Sequence, residues 1–133
     1  MAACVEVEVD PKTGVPKLLE ICQAYECGSI LNPAGLRAQV EGCILMGLGA
    51  ALREEIRFAG GKITNARFST YRVTRFRDVP KMEIVLVNKP EAEPVGAGET
   101  PIIAVAPAMA SAMFAATGKR ARSIPFNSGA ERA

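Results

Sequence analysis

The sequence predicts an α+β fold, in which two main helices pack on one face of a mixed or antiparallel sheet. Three observations lead to this class. Residues 4–9 read C-V-E-V-E-V, and this alternation of apolar and acidic side chains has the period of a half-buried strand. Residues 36–55 carry apolar side chains at helical spacing, and residues 101–117 form an Ala-rich helical segment. The predicted order of elements is β-β-α-β-β-α-β.

The strands follow from local signals. After Cys4–Val9, the turn residues D-P-K-T-G lead into a partner strand at Lys17–Tyr25, so a β-hairpin is expected. A second, short hairpin is expected around Ala59-Gly60-Gly61. Met82–Val87 is rich in Ile and Val, which favour strands, and Arg122–Phe126 is predicted to be a short final strand.

The two helices have different signatures. Leu36–Glu55 places Val40, Ile44 and Ala51 on one face. The second helix is predicted to have Thr100 as its N-cap, followed by proline, and Gly118 just past its end. Because Pro107 cannot donate a backbone hydrogen bond, we expect a kink there or a division into two short helical pieces.

Composition excludes several function classes. The 133 residues suffice for one domain, 1–133, and 16 basic against 14 acidic residues give a net charge of only +2. This balance provides no electrostatic basis for nucleic acid as a partner. Four arginines do cluster in the chain, and they form either a small anion-facing patch or a solvated edge: Arg67, Arg72, Arg75 and Arg77.

The absence of histidine removes Ser-His and Cys-His nucleophiles, and no metal ligand is assigned. The four cysteines (Cys4, Cys22, Cys27 and Cys43) form no CxxC pair, so we expect small buried hydrophobic residues in a reducing compartment rather than a zinc site. Residues 1–10 lack the features of a secretory signal. The apolar runs 43–52 and 102–116 are shorter than the ~20 residues of a membrane helix, so no membrane span is expected.

The loop Pro94–Pro101 carries the strongest chemical signal. Gly96 and Gly98 permit close approaches, and Glu99 follows just before a predicted helix start. Glu99 either interacts with the positive end of that helix or is an ionised carboxylate beside an open space, as a general base requires.

A second stretch, Gln39–Gly49, places three glycines inside a helical pattern. Each glycine weakens a helix by roughly 1 kcal/mol relative to alanine, which indicates close backbone packing or the approach of a ligand. No lysine follows for a phosphate-binding loop, and the dinucleotide pattern is not matched. Gln39, whose amide both donates and accepts hydrogen bonds, is the candidate for facing a ligand.

Taken in order, several short motifs resemble the C-terminal end of the molybdopterin-binding large subunit of the xanthine dehydrogenase and aldehyde oxidase family. The resemblance covers nearly the whole chain, and the sequence around Glu99 looks most similar to that of the isoquinoline 1-oxidoreductase β-subunit branch. The motifs are C-G-x-x-x-N-P at 27–33, Q-V-E-G at 39–42, G-L-G at 47–49, S-x-Y-R at 69–72, D-V-P at 78–80 and G-A-G-E-T-P at 96–101.

The resemblance implies roles for four residues. Glu99, between Gly98 and Pro101, would be the catalytic base in the hydroxylation of an electron-poor carbon with oxygen from water. Gln39 would lie against the molybdenum–molybdopterin cofactor, with Gly42 and Gly98 also beside it. Two departures from the family are Thr100, where many relatives have proline, and Cys43, where many have a smaller residue.

The family's large subunit is several times longer than this chain, so the resemblance implies a C-terminal fragment that is inactive and binds no cofactor alone. Expected partners are the rest of the large subunit, an iron–sulfur small subunit and a small aromatic heterocycle or aldehyde as substrate. Apolar surface left exposed by the missing neighbours would favour self-association. The alternative is a non-catalytic binding or assembly module descended from the enzyme. A cytoplasmic and a periplasmic location in a bacterium both stay open.

Overall fold

A computed structural model describes residues 1–126 of the chain. Its central feature is a three-stranded sheet. Strand β1 (Ala2–Val9) pairs antiparallel with β2 (Pro16–Glu26), and β2 pairs in parallel with β5 (Lys81–Val87). The sheet is therefore mixed, with β2 in the middle.

Both helices pack on one face of this sheet, as predicted. Helix α1 (Pro33–Leu52) contacts β5, and α2 (Val105–Thr117) contacts β1 and α1. The buried face of β2 alternates with a more exposed face because successive side chains of a strand point to opposite sides. The apolar core joins both layers and includes Ile21, Tyr25, Val40, Ile44, Leu48, Ile84, Val105 and Met109.

Helix α1 begins three residues earlier than predicted. Asn32 is its N-cap, and the Asn32 Oδ1 atom accepts a hydrogen bond of 2.9 Å from the Gly35 backbone N–H. Pro33 fits the first turn because its missing N–H would have no partner inside the helix. The Asn-Pro pair is thus a helix start, and the helix ends at Leu52 rather than at Glu55.

The Ala-rich segment is divided into two helical pieces, but the division lies three residues before Pro107. A 3-10 helix (Thr100–Ala104) precedes α2, and Pro107 is the third residue of α2, where its missing N–H costs no helical hydrogen bond. Gly118 ends α2 in the left-handed conformation with φ 68°, as predicted. Thr100 is not the N-cap, since Glu99 precedes the 3-10 helix and its side chain makes no capping hydrogen bond.

The predicted final strand is wrong. Residues 122–126 have no strand pairing, although the Phe126 N–H donates a 2.7 Å hydrogen bond to the Ala51 carbonyl and so holds the segment against α1. A segment of five residues forms a strand only where a neighbouring strand edge is available, and none pairs with it among the described residues. The single domain 1–133 stays a prediction, because residues 127–133 lie outside the described part.

Between α1 and β5 the chain has little regular structure. The short hairpin predicted at Gly60-Gly61 is present, formed by β3 (Phe58–Ala59) and β4 (Lys62–Ile63). Both turn glycines have positive φ, 56° and 73°, which explains why glycine occupies them. A 3-10 turn at Phe76–Asp78 leads into β5.

The segment Thr100–Thr117 is long and apolar enough to cross a membrane by length and composition alone. Here it contributes the fully buried Val105 and Met109 to the core. The expected absence of a membrane span stays a prediction.

Candidate active site

The loop that carries Glu99 lies on the surface. Glu99 is exposed, and within residues 1–126 its carboxylate has no hydrogen bond or ion pair. Glu99 precedes a 3-10 helix of only five residues, so the long helix whose dipole the sequence suggested begins at Val105 instead. The carboxylate is therefore accessible, and the described contacts leave it free to take up a proton.

Two side chains of α1 hold the backbone immediately before Glu99. The Gln39 Nε2 atom donates to the Gly98 carbonyl oxygen, and the Cys43 Sγ atom lies 3.4 Å from the same oxygen. Gln39 and Cys43 are four residues apart and so lie on the same face of the helix. Three of the predicted site residues, Gln39, Gly98 and Glu99, are thus brought together across 59 positions of sequence.

The glycines of α1 fall into two kinds. A methyl group at Gly47 would lie 2.9 Å from the Val105 side chain, so Gly47 permits the close packing of α1 against α2. A methyl group at Gly42 would meet nothing within 4 Å, and the same is true at Gly98. Close packing accounts for Gly47, whereas Gly42 and Gly98 border open space.

Two residues of β2 also position this loop, and neither was among the predicted site residues. Gln23 is fully buried, and its Nε2 atom donates a 2.7 Å hydrogen bond to the Pro101 carbonyl. The hydroxyl of Tyr25 is hydrogen-bonded to that of Thr100. The signal was available, because the strand alternation places a polar amide at Gln23 on the same buried face as Ile21 and Tyr25.

The segment Cys27-Gly28 supports the N-terminal end of the loop that carries Glu99. The Val95 N–H donates to the Cys27 carbonyl at 2.9 Å, and the Lys89 N–H donates to the Gly28 carbonyl at 3.2 Å. Gly28 has φ 79°, and a methyl group there would lie only 2.1 Å from the Glu93 carbonyl oxygen. Glycine is therefore required at position 28, and the loop before Glu99 is held at both ends.

The thiol of Cys43 contributes as a neutral donor. Burial raises its pKa, the hydrogen bond from Gln39 lowers it, and the negative charge of Glu99 raises it further. The protonated thiol suits donation to the Gly98 carbonyl. The expectation that all four cysteines are buried is only half met, since Cys27 and Cys43 are buried while Cys4 is exposed and Cys22 is half-buried.

The donor set does not suit direct coordination of a metal. Residues 1–126 contain no group of three or more Cys, Asp or Glu side chains that could hold a metal ion. One fixed amide, one free carboxylate and two glycines beside open space instead fit contact with a bound organic cofactor. A separate cavity of about 510 Å³, lined in part by Met113 and Phe126, includes none of these residues.

Comparison with known proteins gives a consistent result. The family model described as molybdopterin cofactor-binding domain matches residues 1–80, which include Gln39 and Gly42 but not Glu99. The aldehyde oxidoreductase molybdenum-binding subunit PaoC of Escherichia coli is 38% identical over an alignment of 132 residues that covers 92% of this chain and 18% of that protein. The isoquinoline 1-oxidoreductase subunit beta of Brevundimonas diminuta is 29% identical, over 95% of this chain and 16% of that protein.

Solved structures agree with the sequence comparisons. The aldehyde oxidoreductase from Desulfovibrio gigas superposes with a TM-score of 0.80 at 28% identity, and the match covers 92% of this chain and 14% of that structure. The chain spans less than a fifth of the relatives' length, between 11% and 18% of each matched protein. By its family model, its relatives and its fold, this chain belongs to the molybdopterin cofactor-binding domain family of molybdenum hydroxylases.

Proposed function

We propose that this chain supplies the general base and part of the cofactor contact of a molybdenum hydroxylase large subunit, and that it is active only when assembled with the rest of that subunit. The observation that carries the proposal is the accessible, unpaired carboxylate of Glu99 directly after a carbonyl that Gln39 fixes. A general base needs this combination, since its backbone must be held while its carboxylate stays free to accept a proton.

The role of Glu99 is proton acceptance. When bound in the assembled subunit, the molybdenum–molybdopterin cofactor would supply the oxidation chemistry and would activate the water whose proton a carboxylate base receives. Glu99 takes up the proton while the substrate carbon is hydroxylated. The substrate class is an aromatic N-heterocycle or an aldehyde, in keeping with the names of the isoquinoline and aldehyde oxidoreductase relatives.

Three further residues form this chain's contact with the cofactor. Gln39 lies beside the Glu99 loop, and Gly42 and Gly98 leave space where any larger side chain would stand. The remaining walls of the pocket come from polypeptide that this chain does not include, since the relatives are several times longer. The chain alone therefore binds no molybdenum cofactor. The proposed partners are the rest of the large subunit and an iron–sulfur small subunit that removes the electrons.

The experiment that tests this function is reconstitution. The chain is mixed with the cofactor-loaded remainder of the large subunit from the same organism, and dye-linked oxidation of isoquinoline and of benzaldehyde is measured. Glu99→Gln is expected to lower the turnover number at least about 100-fold, the usual range for a lost general base. The matched control is Glu91→Gln, which neutralises another exposed carboxylate of the same segment and should leave turnover unchanged.

The same assay distinguishes a catalytic role of this chain from a role in binding or assembly alone. If the wild-type complex turns over and Glu99→Gln matches it, Glu99 is not the base. If the wild-type chain assembles without supporting turnover, the chain is a binding or assembly module descended from the enzyme.

A further inference from the structure

Residues 56–79, which we call the basic–apolar arm, expose an unusual amount of apolar surface. Phe68 is 100% exposed and Phe76 is 98% exposed. The arm holds seven of the fifteen large apolar side chains that are exposed in residues 1–126, namely Ile56, Phe58, Ile63, Phe68, Val73, Phe76 and Val79. Apolar surface gathered in this way marks a site of interaction with another protein surface.

The arm is held to the rest of the structure at several points. The Arg53 guanidinium makes two hydrogen bonds to the Asp78 carboxylate, at 2.6 and 3.1 Å. The Tyr71 hydroxyl donates to Glu54 Oε2 at 3.0 Å, and the Thr74 hydroxyl donates to the Leu45 carbonyl at 3.3 Å. These bonds fix the backbone while the large apolar side chains stay exposed, so the arm presents a surface.

The arm also concentrates positive charge. It contains six basic residues and one acidic residue, out of 16 and 14 in the whole chain. The arm therefore carries a charge of +5, and the rest of the chain carries −3. A groove of about 600 Å³ runs between the arm and α1, lined by Leu45, Thr74, Arg75, Phe76, Arg77 and Val79. A complementary surface would combine apolar side chains with acidic ones.

We propose that the basic–apolar arm docks on an acidic, apolar-centred surface of the rest of the molybdenum-binding subunit, a proposal that rests on the function proposed above. The greater length of the relatives identifies this partner. More than four fifths of each matched relative has no counterpart in this chain, so the segments that adjoin this domain in the relatives lie outside it. Exposed phenylalanines that enter a partner's pockets supply much of the affinity of such interfaces.

The test measures the dissociation constant between this chain and the cofactor-loaded remainder of the large subunit. Phe68→Ser/Phe76→Ser is expected to raise it at least about tenfold. Both side chains are almost fully exposed, so the isolated variant should fold, which circular dichroism checks. The matched control, Leu31→Ser, changes an apolar side chain that is 85% exposed but lies outside the arm, and it should leave binding unchanged.

A charge variant tests the second half of the proposal. Lys62→Glu/Arg67→Glu should weaken binding at low salt and make the dissociation constant less sensitive to salt.

The outcomes separate this proposal from the proposed function. Equal binding by the wild-type chain and the Phe68→Ser/Phe76→Ser variant overturns the docking surface and leaves the function standing. Equal weakening by Leu31→Ser also overturns it, because the arm would then have no special part. A wild-type chain that does not bind the large-subunit remainder, or that only associates with itself through the arm, overturns the proposed function together with the docking surface.

Discussion

The carbonyl of Gly98 receives hydrogen bonds from two side chains of one helix, and this arrangement separates two tasks. Gln39 and Cys43 fix the backbone, whereas the Glu99 carboxylate takes no part in holding the loop. A general base in this position can change its charge without disturbing the structure that carries it. The thiol of Cys43 thus serves as a second donor to the Gly98 carbonyl.

Gln23 offers a test of how dry the region beneath the loop is. Its Nε2 atom donates to Pro101, but its Oε1 atom is buried without a partner in the part of the chain that the structure describes. Gln23→Glu would place a charge there and should lower the free energy of unfolding by several kcal/mol. Gln23→Leu removes one hydrogen bond and one unpaired oxygen together, and should change it by only about 1 kcal/mol.

Urea denaturation of the isolated chain measures both values. A Gln23→Glu variant as stable as the wild type would show that water reaches this site.

At the scale of single residues, the sequence predicted the site unevenly. Gln39 and Glu99 were predicted because each lies in a glycine-containing sequence motif. In the structure, Gln39 of α1 contacts the loop that carries Glu99. Gln23 and Tyr25 were not predicted as site residues, because a hairpin signal identifies their strand but not the loop that their side chains contact. Sequence spacing could not show that the Gln23 amide reaches Pro101, 78 positions away.

At the scale of elements, helix α1 packs closely at one glycine and is open at another. Gly47→Ala would bring a methyl group to 2.9 Å from Val105, and overpacking of this kind costs about 1–3 kcal/mol against roughly 1 kcal/mol gained in helix propensity. Gly42→Ala meets open space and should stabilise the isolated chain by up to about 1 kcal/mol.

Thermal unfolding of the two variants should therefore shift the melting temperature in opposite directions. Equal shifts would mean that α2 yields freely to the added methyl group. In the assembled subunit, Gly42→Ala should also reduce the amount of bound molybdenum, which separates a cofactor contact from a purely local effect.

The ion pair that joins the end of α1 to the arm predicts a dependence of stability on pH. The hydrogen bonds from Arg53 lower the pKa of Asp78 below its ordinary value of 3.8, although burial acts in the opposite direction. A carboxyl group with a depressed pKa in the folded state stabilises the fold above the unfolded value, and this stabilisation is lost as the pH falls through the folded pKa.

Asp78→Asn should therefore lower the free energy of unfolding by about 1–3 kcal/mol at pH 7, and by progressively less as the pH falls from 3.8 toward the lower pKa of Asp78 in the folded state. Urea titrations of both proteins between pH 7 and pH 3 measure the difference. A constant difference over this range would mean that the Asp78 carboxylate charge contributes nothing.

Helices and strands were predicted correctly where a periodic pattern extended over many residues. The predictions failed where one or two residues determine the start of an element. β1, β2, β5 and the body of α1 followed from patterns of six residues or more. The start of α1 was missed because Asn-Pro is compatible both with a turn and with a helix N-terminus. The final strand was wrong because a segment of five residues carries no information about a neighbouring strand.

At the scale of the whole molecule, the candidate site lies at the surface of the described chain and has no set of metal ligands there. The chain spans under a fifth of its relatives, and the exposed arm lies apart from the sheet core. These facts are what a piece of a larger subunit would show. Neither composition nor periodicity could have revealed the size of the missing part, and only the succession of motifs indicated it.

The central claim is that the pocket for the molybdenum cofactor is completed by polypeptide outside this chain. The most direct measurement is the molybdenum content of the purified chain, alone and after assembly with the remainder of the large subunit from the same organism. We expect far less than one molybdenum per chain in the isolated protein and about one per complex. A full equivalent of molybdenum retained by the isolated chain would contradict the account.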